Sequence, residues 1–261
     1  MATFYQRYEF QLYDRFTGKA IISSGGMCLV IKGADWDKAT LYNPASNHAS
    51  LTNPISLTRG HGTFEVVAGS PDSVDLYIMC PDGDFIVALG LSPTAGRVNP
   101  IYVDTQRRYQ TLVCPYSLTD MGAGTTEYDT GLDFPTNAAV FAHGMGIKVG
   151  VSDAGETIDV GILSTEANGN ATGFMAAVPI TGTAGVFRTP GYTWNATGYV
   201  TAQLWGALVT NFTAGSAADD RGALIYKEWI CDGTAKSLSM TPTSWDTAKG
   251  LVYIPYALYG R

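Results

Sequence analysis

The residues best suited to chemistry lie in Leu57–Val66, LTRGHGTFEV, where Arg59 and His61 alternate with Gly60 and Gly62. A histidine there could act as a general base and an arginine as an anion clamp, if a nucleophile and an orienting group converged on them. The chain has three histidines, His48, His61 and His143, each in a Gly- or Asn-rich context, and no GxSxG elbow presents an activated serine. His61 therefore reads as a turn residue directed to solvent, with the glycines supplying positive φ. Phe64 and Val66 beyond it are expected to face a core. His143, in AVFAHGMGIKVGV, is expected inside a strand, on its face or at an intersubunit contact.

Other chemistries fare no better. Gly144-Met145-Gly146 lacks the third glycine of a dinucleotide loop, and GTAKS at 233–237 lacks the first glycine of a P-loop. The acidic pairs that a glycosidase would need are Asp82 with Asp84, Asp129 with Asp133, and Asp219 with Asp220. All are expected in turns, where Asp bonds its own backbone. EYDTGLD could hold calcium only without the EF-hand pattern. The triplets at Asn170, Asn195 and Asn211 match the glycosylation acceptor but read as β-turns, since no secretory signal is seen. Cys28, Cys80, Cys114 and Cys231 are widely spaced and form no CxxC, so free buried thiols are expected and zinc is not. No catalytic residue, cofactor or metal is expected.

The elements that would have to position such groups follow from bulk and pattern. The 261 residues suffice for one large or two ordinary domains. Charged residues make up only 15%, well under the usual quarter, while Gly reaches 30 residues. This composition suits turn-rich β-proteins and faces buried against neighbours. A net charge of −7 with one tight basic pair, Arg107-Arg108, argues against nucleic acid. No apolar run is long enough to span a membrane. The N-terminal MATFYQRYEFQLYD lacks a signal-peptide pattern, so synthesis in a cytoplasm is expected.

Period two dominates. MCLVIKG, TFEVV, SVDLYIM and DFIVALG alternate with turn clusters, and TIDVGILS, YVTAQLWGALVT and GLVYIPYALY continue the rhythm. Short, evenly spaced strands predict an all-β protein, a sandwich or barrel and not βαβ units. SLTDMGAGTTEYDTGLDFPTN (117–137) breaks the rhythm and is expected to link a small sandwich (1–116) to a larger sandwich or jelly roll (138–261).

Residues 39–67 and 73–83 resemble the immunoglobulin-like or transthyretin-like modules of tailed-bacteriophage virion proteins. The likeness is carried by Leu51, Asn53, Pro54, Gly62 and Phe64, with Val74, Leu76 and Ile78 on the next strand. Arg59 and His61 stand where that pattern usually has an acidic turn residue. Residues 129–141, 157–187 and 235–259 resemble the C-terminal modules of phage capsid decoration, or cement, proteins. That resemblance implies a sandwich core of Ile158, Val160, Ile162, Val252, Tyr253 and Ile254.

The resemblance implies a non-enzymatic structural virion protein. Its expected partners are the major capsid protein and its own copies, as a homotrimer on the capsid surface, without nucleic acid or membrane. Aromatic residues are favoured interface anchors, and the loop RTPGYTWNATGY with Tyr192, Trp194 and Tyr199 is the first expected contact. Tyr5 in the N-terminal arm, with Arg59 and His61 in the turn, are further candidates. A tail, baseplate or fibre component would instead show exposed Trp and Tyr stacked for a host glycan. A small glycan hydrolase or esterase would show a carboxylate pair across a cleft, or a Ser–His contact.

Overall fold

The computed structural model describes residues 3–23, 25–33, 36–68, 73–94, 97–105, 107–118, 120–121, 126–152, 156–180, 184–185, 187–188, 193–194, 200–201, 206, 208–213, 223–226, 228–243 and 247–259. Among them every regular element is a strand, so the protein is all-β, built from several largely antiparallel sheets. Among the described residues no helix is long and apolar enough to cross a membrane. Two compact units are present, residues 1–110 with 131–133, and residues 111–130 with 134–261.

The first unit holds β1 (Tyr5–Asp14), β2 (Met27–Lys32), β3 (Leu41–Asn43), β4 (Ala49–Leu51), β5 (Ile55–Ser56), β6 (His61–Val67), β7 (Val74–Met79), β8 (Phe85–Leu91) and β9 (Asn99–Val103). They form a five-stranded sheet, β4-β3-β6-β1-β9, and a four-stranded sheet, β5-β2-β7-β8. Alternation explains the layering, because successive strand side chains point to opposite faces. Tyr8, Phe10 and Leu12 of β1 and Phe64 and Val66 of β6 point inward, against Cys28 and Val30 of β2 and Val74, Leu76 and Ile78 of β7. Phe64 and Val66 thus face the core, as the alternation predicts. β1 pairs antiparallel with β6 from Tyr5↔Val67 to Gln11↔His61, and parallel with β9.

Asn53 shows why a polar residue belongs in the Asn-Pro stretch. Its Oδ1 accepts the Val30 N–H at 3.0 Å, and its Nδ2 donates to the carbonyls of Val30 at 2.6 Å and Ala39 at 3.0 Å. The carboxamide ties the segment before β5 to β2, acting as a piece of backbone where strand pairing has stopped.

The second unit holds β10 (Tyr109–Ser117), β11 (Tyr128–Phe134), β12 (Ala138–Val140), β13 (Gly146–Val151), β14 (Thr157–Ile162), β15 (Asn170–Pro179), β16 (Phe187–Arg188), β17 (Thr193–Trp194), β18 (Val200–Thr201), β19 (Thr210–Thr213), β20 (Ala223–Tyr226), β21 (Trp229–Ile230), β22 (Lys236–Pro242) and β23 (Lys249–Leu258). Two of these strands begin or pass through residues of the first unit, β10 at 109–110 and β11 at 131–133. One sheet runs β16-β13-β23-β12-β21 with β10 also on β23, and the other runs β11-β22-β14-β15. The two sheets face each other through an aromatic cluster. Phe134 meets Phe174, Trp229 and Tyr256 edge-on, at 5.7, 6.0 and 5.8 Å between ring centroids. Edge-to-face contacts of this kind suit the ring quadrupoles.

Ile158, Val160, Ile162, Val252 and Ile254 are fully buried. Tyr253, also expected in the core, is half-buried and packs edge-on against Phe187 at 5.5 Å. Its place between two inward residues of β23 turns it to the other face of the sheet. The segment 117–137 contains β11, which pairs with β22. All four cysteines are buried thiols outside any disulfide. Burial pushes the Cys231 thiol up to about 12, which keeps it a small hydrophobe and not a nucleophile.

Candidate functional site

The turn that opened the sequence is a two-residue hairpin connection. Arg59 (φ 53°) and Gly60 (φ 67°) both adopt the left-handed conformation, and Thr58 and His61 exchange backbone hydrogen bonds of 3.1 and 3.0 Å. Those torsions match a type I′ turn, whose twist suits flanking strands. A Cβ at Gly60 would lie 2.5 Å from the Ile21 carbonyl oxygen, so glycine is required there by space as well as by φ. Arg59 projects to solvent at the tip. His61 does not: its Nε2 lies 3.1 Å from Glu9 Oε1 across the strand pair, and its side chain is about one-third exposed. The expectation of a solvent-directed His61 is corrected by this partner, which sits 52 residues away in sequence.

The outward positions of β1 and β6 gather the other candidates onto one sheet face. Tyr5, Arg7, Glu9 and Gln11 alternate with the buried Tyr8, Phe10 and Leu12, and Glu65 and His61 do the same on β6. Tyr5 stacks on His48, with ring centroids 4.0 Å apart and planes within 3°. Tyr42 meets Tyr5 edge-on at 5.0 Å. His48 Nδ1 makes a short hydrogen bond to Glu65 Oε2. Arg7 Nη2 lies 3.1 Å from Glu9 Oε2, so Glu9 is shared by Arg7 and His61. Strand alternation delivers Tyr5, Arg7 and Glu9, whereas His48 arrives from a turn in which Asn47 and His48 both have positive φ. Sequence reasoning missed Tyr42, His48, Glu65 and Glu9; the outward phase of β1 and β6 was the available signal for the two carboxylates.

Both imidazoles hydrogen-bond to carboxylates, an arrangement that orients a base, and among the described residues neither is hydrogen-bonded to a hydroxyl or thiol that it could activate. No group of three or more His, Cys, Asp or Glu able to hold a metal occurs among the described residues.

Trp194 lies in β17, its side chain outside the described set, and Tyr192 and Tyr199 lie outside the described residues, as do Asp219, Asp220 and Asn195. His143 is corrected from a strand to an exposed turn, because Gly144 (φ 88°) reverses the chain before β13. Asp129 and Asp133 are corrected from a turn to β11, and Asn170 and Asn211 from turns to β15 and β19. Asp84 is buried, and its Oδ1 accepts a hydrogen bond from Gln110 Nε2 at 2.9 Å.

No protein family matches the chain, and no curated protein does. Among solved structures it is similar to the infectious bursal disease virus VP2 subviral particle, with a TM-score of 0.24 and 12% identity over 98% of this chain and 56% of that one. A structure of the infectious bursal disease virus Gt strain gives a TM-score of 0.21 and 10% identity, over 98% and 55%. The chain thus spans just over half the length of these viral chains, and scores of that size fall short of a shared fold.

Proposed function

We propose that this chain is a structural protein of a tailed-phage virion: a capsid decoration protein that binds the assembled head and reinforces it, as a homotrimer, with no catalytic role and no cofactor. The observation that carries the proposal is the outward face of β1 and β6. Its aromatic rings are held by stacking and edge contacts, and its carboxylates are hydrogen-bonded in Arg7–Glu9–His61 and His48–Glu65. A face of that kind can be covered by a neighbour without leaving a carboxylate stripped of hydrogen-bond partners, which is a main cost of burying polar surface. Rigid aromatic residues also lose little entropy on docking. The resemblance of the two sequence stretches to virion modules supports the same role.

The mechanism is thermodynamic. A protein that binds the closed shell and not its dissociated subunits stabilises the shell by mass action, about 2.7 kcal/mol per site at a hundredfold excess over Kd. Heads assembled without the chain are to be heated with and without the purified protein. A rise in rupture temperature is expected, and Tyr5→Ala combined with His48→Ala should abolish it. Failure of the protein to bind such heads would refute the decoration role.

A further inference from the structure

We propose that a cleft between β8 and β9, at the open edge of the first sandwich, binds a single uncharged pyranose ring. This inference uses none of the residues of the docking face and does not depend on the decoration role. β8 and β9 are the end strands of their respective sheets, and the cleft between them has a cavity volume of about 130 Å³. A cavity of roughly 150 Å³ takes up a benzene ring, so this cleft is sized for one six-membered ring, and like other small-ligand sites it combines apolar walls with a few convergent polar groups.

Four features select the ligand. The charges that line the cleft cancel, Arg15 and Arg107 against Asp84 and Asp104, so it presents no net attraction to an anion or a cation. Tyr102 lines it with 59% of its surface exposed, and its ring packs at a tilt on Tyr13, 5.9 Å away. An exposed aromatic face suits the C–H face of a sugar ring. The polar groups are planar forks, guanidinium, carboxylate and carboxamide, which match pairs of neighbouring hydroxyls. Phe85 and Val103 are buried in the lining and supply the apolar part.

The polar groups are also held in place. Gln110 and Asp84 are joined at 2.9 Å, both buried, and Arg107 Nε donates to Asp104 Oδ2 at 3.2 Å. The Arg15 N–H donates to the Val103 carbonyl at 2.8 Å. Asp14 next to it accepts the N–H groups of Phe16 at 2.9 Å and Thr17 at 2.6 Å, together with the Thr105 hydroxyl. The turn that carries Arg15 is therefore tied to the segment that carries Asp104, which lowers the ordering cost of binding.

The test is titration of the full chain, followed by amide NMR, with the methyl glycosides of glucose, galactose, mannose, N-acetylglucosamine and rhamnose. Sodium acetate and methylammonium chloride serve as charged probes. At least one glycoside should saturate with Kd of roughly 1–10 mM, as a ligand of a dozen heavy atoms allows. Tyr102→Ala and, separately, Arg107→Met should each weaken it roughly fivefold or more. Both side chains are largely exposed, so neither change threatens the fold. Tyr109→Ala, at a 75% exposed tyrosine that does not line the cleft, should leave binding unchanged. No saturation by any glycoside, tighter binding of a charged probe, or full binding by Tyr102→Ala would each overturn the proposal.

Discussion

The β1–β6 pair and the β14–β15 pair are both antiparallel and both contribute to a core, yet they are built differently. Between β1 and β6 the register runs unbroken from Tyr5↔Val67 to Gln11↔His61. Between β14 and β15 it shifts twice, from Ile158↔Val178 to Val160↔Met175 and then to Ile162↔Asn170. An unbroken ladder keeps inward and outward positions in phase, so one face can be apolar and the other carry an ordered row of polar and aromatic groups. A bulged pair spends extra residues on one strand and must accommodate them locally. Ala177 takes φ 50° there, with its N–H donated to Asp159 Oδ1 at 2.6 Å, and Gly161 leaves no room for a side chain. Regular pairing keeps one face in phase along the strands, whereas bulged pairing breaks that phase locally.

The largest expected effect comes from filling the bulge. A Cβ at Gly161 would lie 2.0 Å from the Asn170 carbonyl oxygen and 2.6 Å from the Ala171 carbonyl carbon, both backbone atoms. Gly161→Ala should destabilise the second unit by on the order of 3 kcal/mol. At Gly62 in the regular pair the obstacle is the Phe10 ring at 2.4 Å, a side chain that can shift, and Gly62→Ala should cost about 2 kcal/mol. Urea unfolding followed by hydrogen exchange of each unit's amides separates the two; equal costs would erase the contrast.

Asn53→Ala comes next. It leaves the Val30 N–H and the Val30 and Ala39 carbonyls without their side-chain partner, and should cost about 2 kcal/mol by the same measurement, confined to the first unit. A smaller effect of opposite sign is expected at Ala177. Glycine relieves the left-handed strain, so Ala177→Gly should stabilise the second unit by about 1 kcal/mol in thermal unfolding.

The smallest effect is acid titration of Asp14. Its carboxyl is held down at about 2, first by the Thr105 hydroxyl and then by Thr17 and Phe16. A depressed carboxyl favours the folded state above the ordinary value of 3.8, and that contribution is lost as pH falls from 3.8 toward 2. In Thr105→Val the Asp14 carboxyl resonance should titrate closer to 3.8; an unchanged midpoint would remove Thr105 as the main cause.

What the sequence made legible follows the same contrast. In the regular β1–β6 pair alternation alone places Phe64 and Val66 inside. It fails wherever a turn with positive φ intervenes: His143 leaves its expected strand at Gly144, and His48 reaches Tyr5 from a turn. The cleft beside Tyr102 was also invisible in sequence. Its lining comes from Arg15, Asp84 and Gln110, which only the ordering of strands into two sheets brings together. Short-range pattern specifies faces; long-range pairing specifies sites.

The most direct test of the structural role is a side-chain-resolution map of the intact particle. This chain should stand in three-fold clusters on the head, with Tyr5, Tyr42 and His48 buried against the major capsid protein or a second copy. A particle whose head lacks the chain, or one that leaves that face open to solvent, would contradict it.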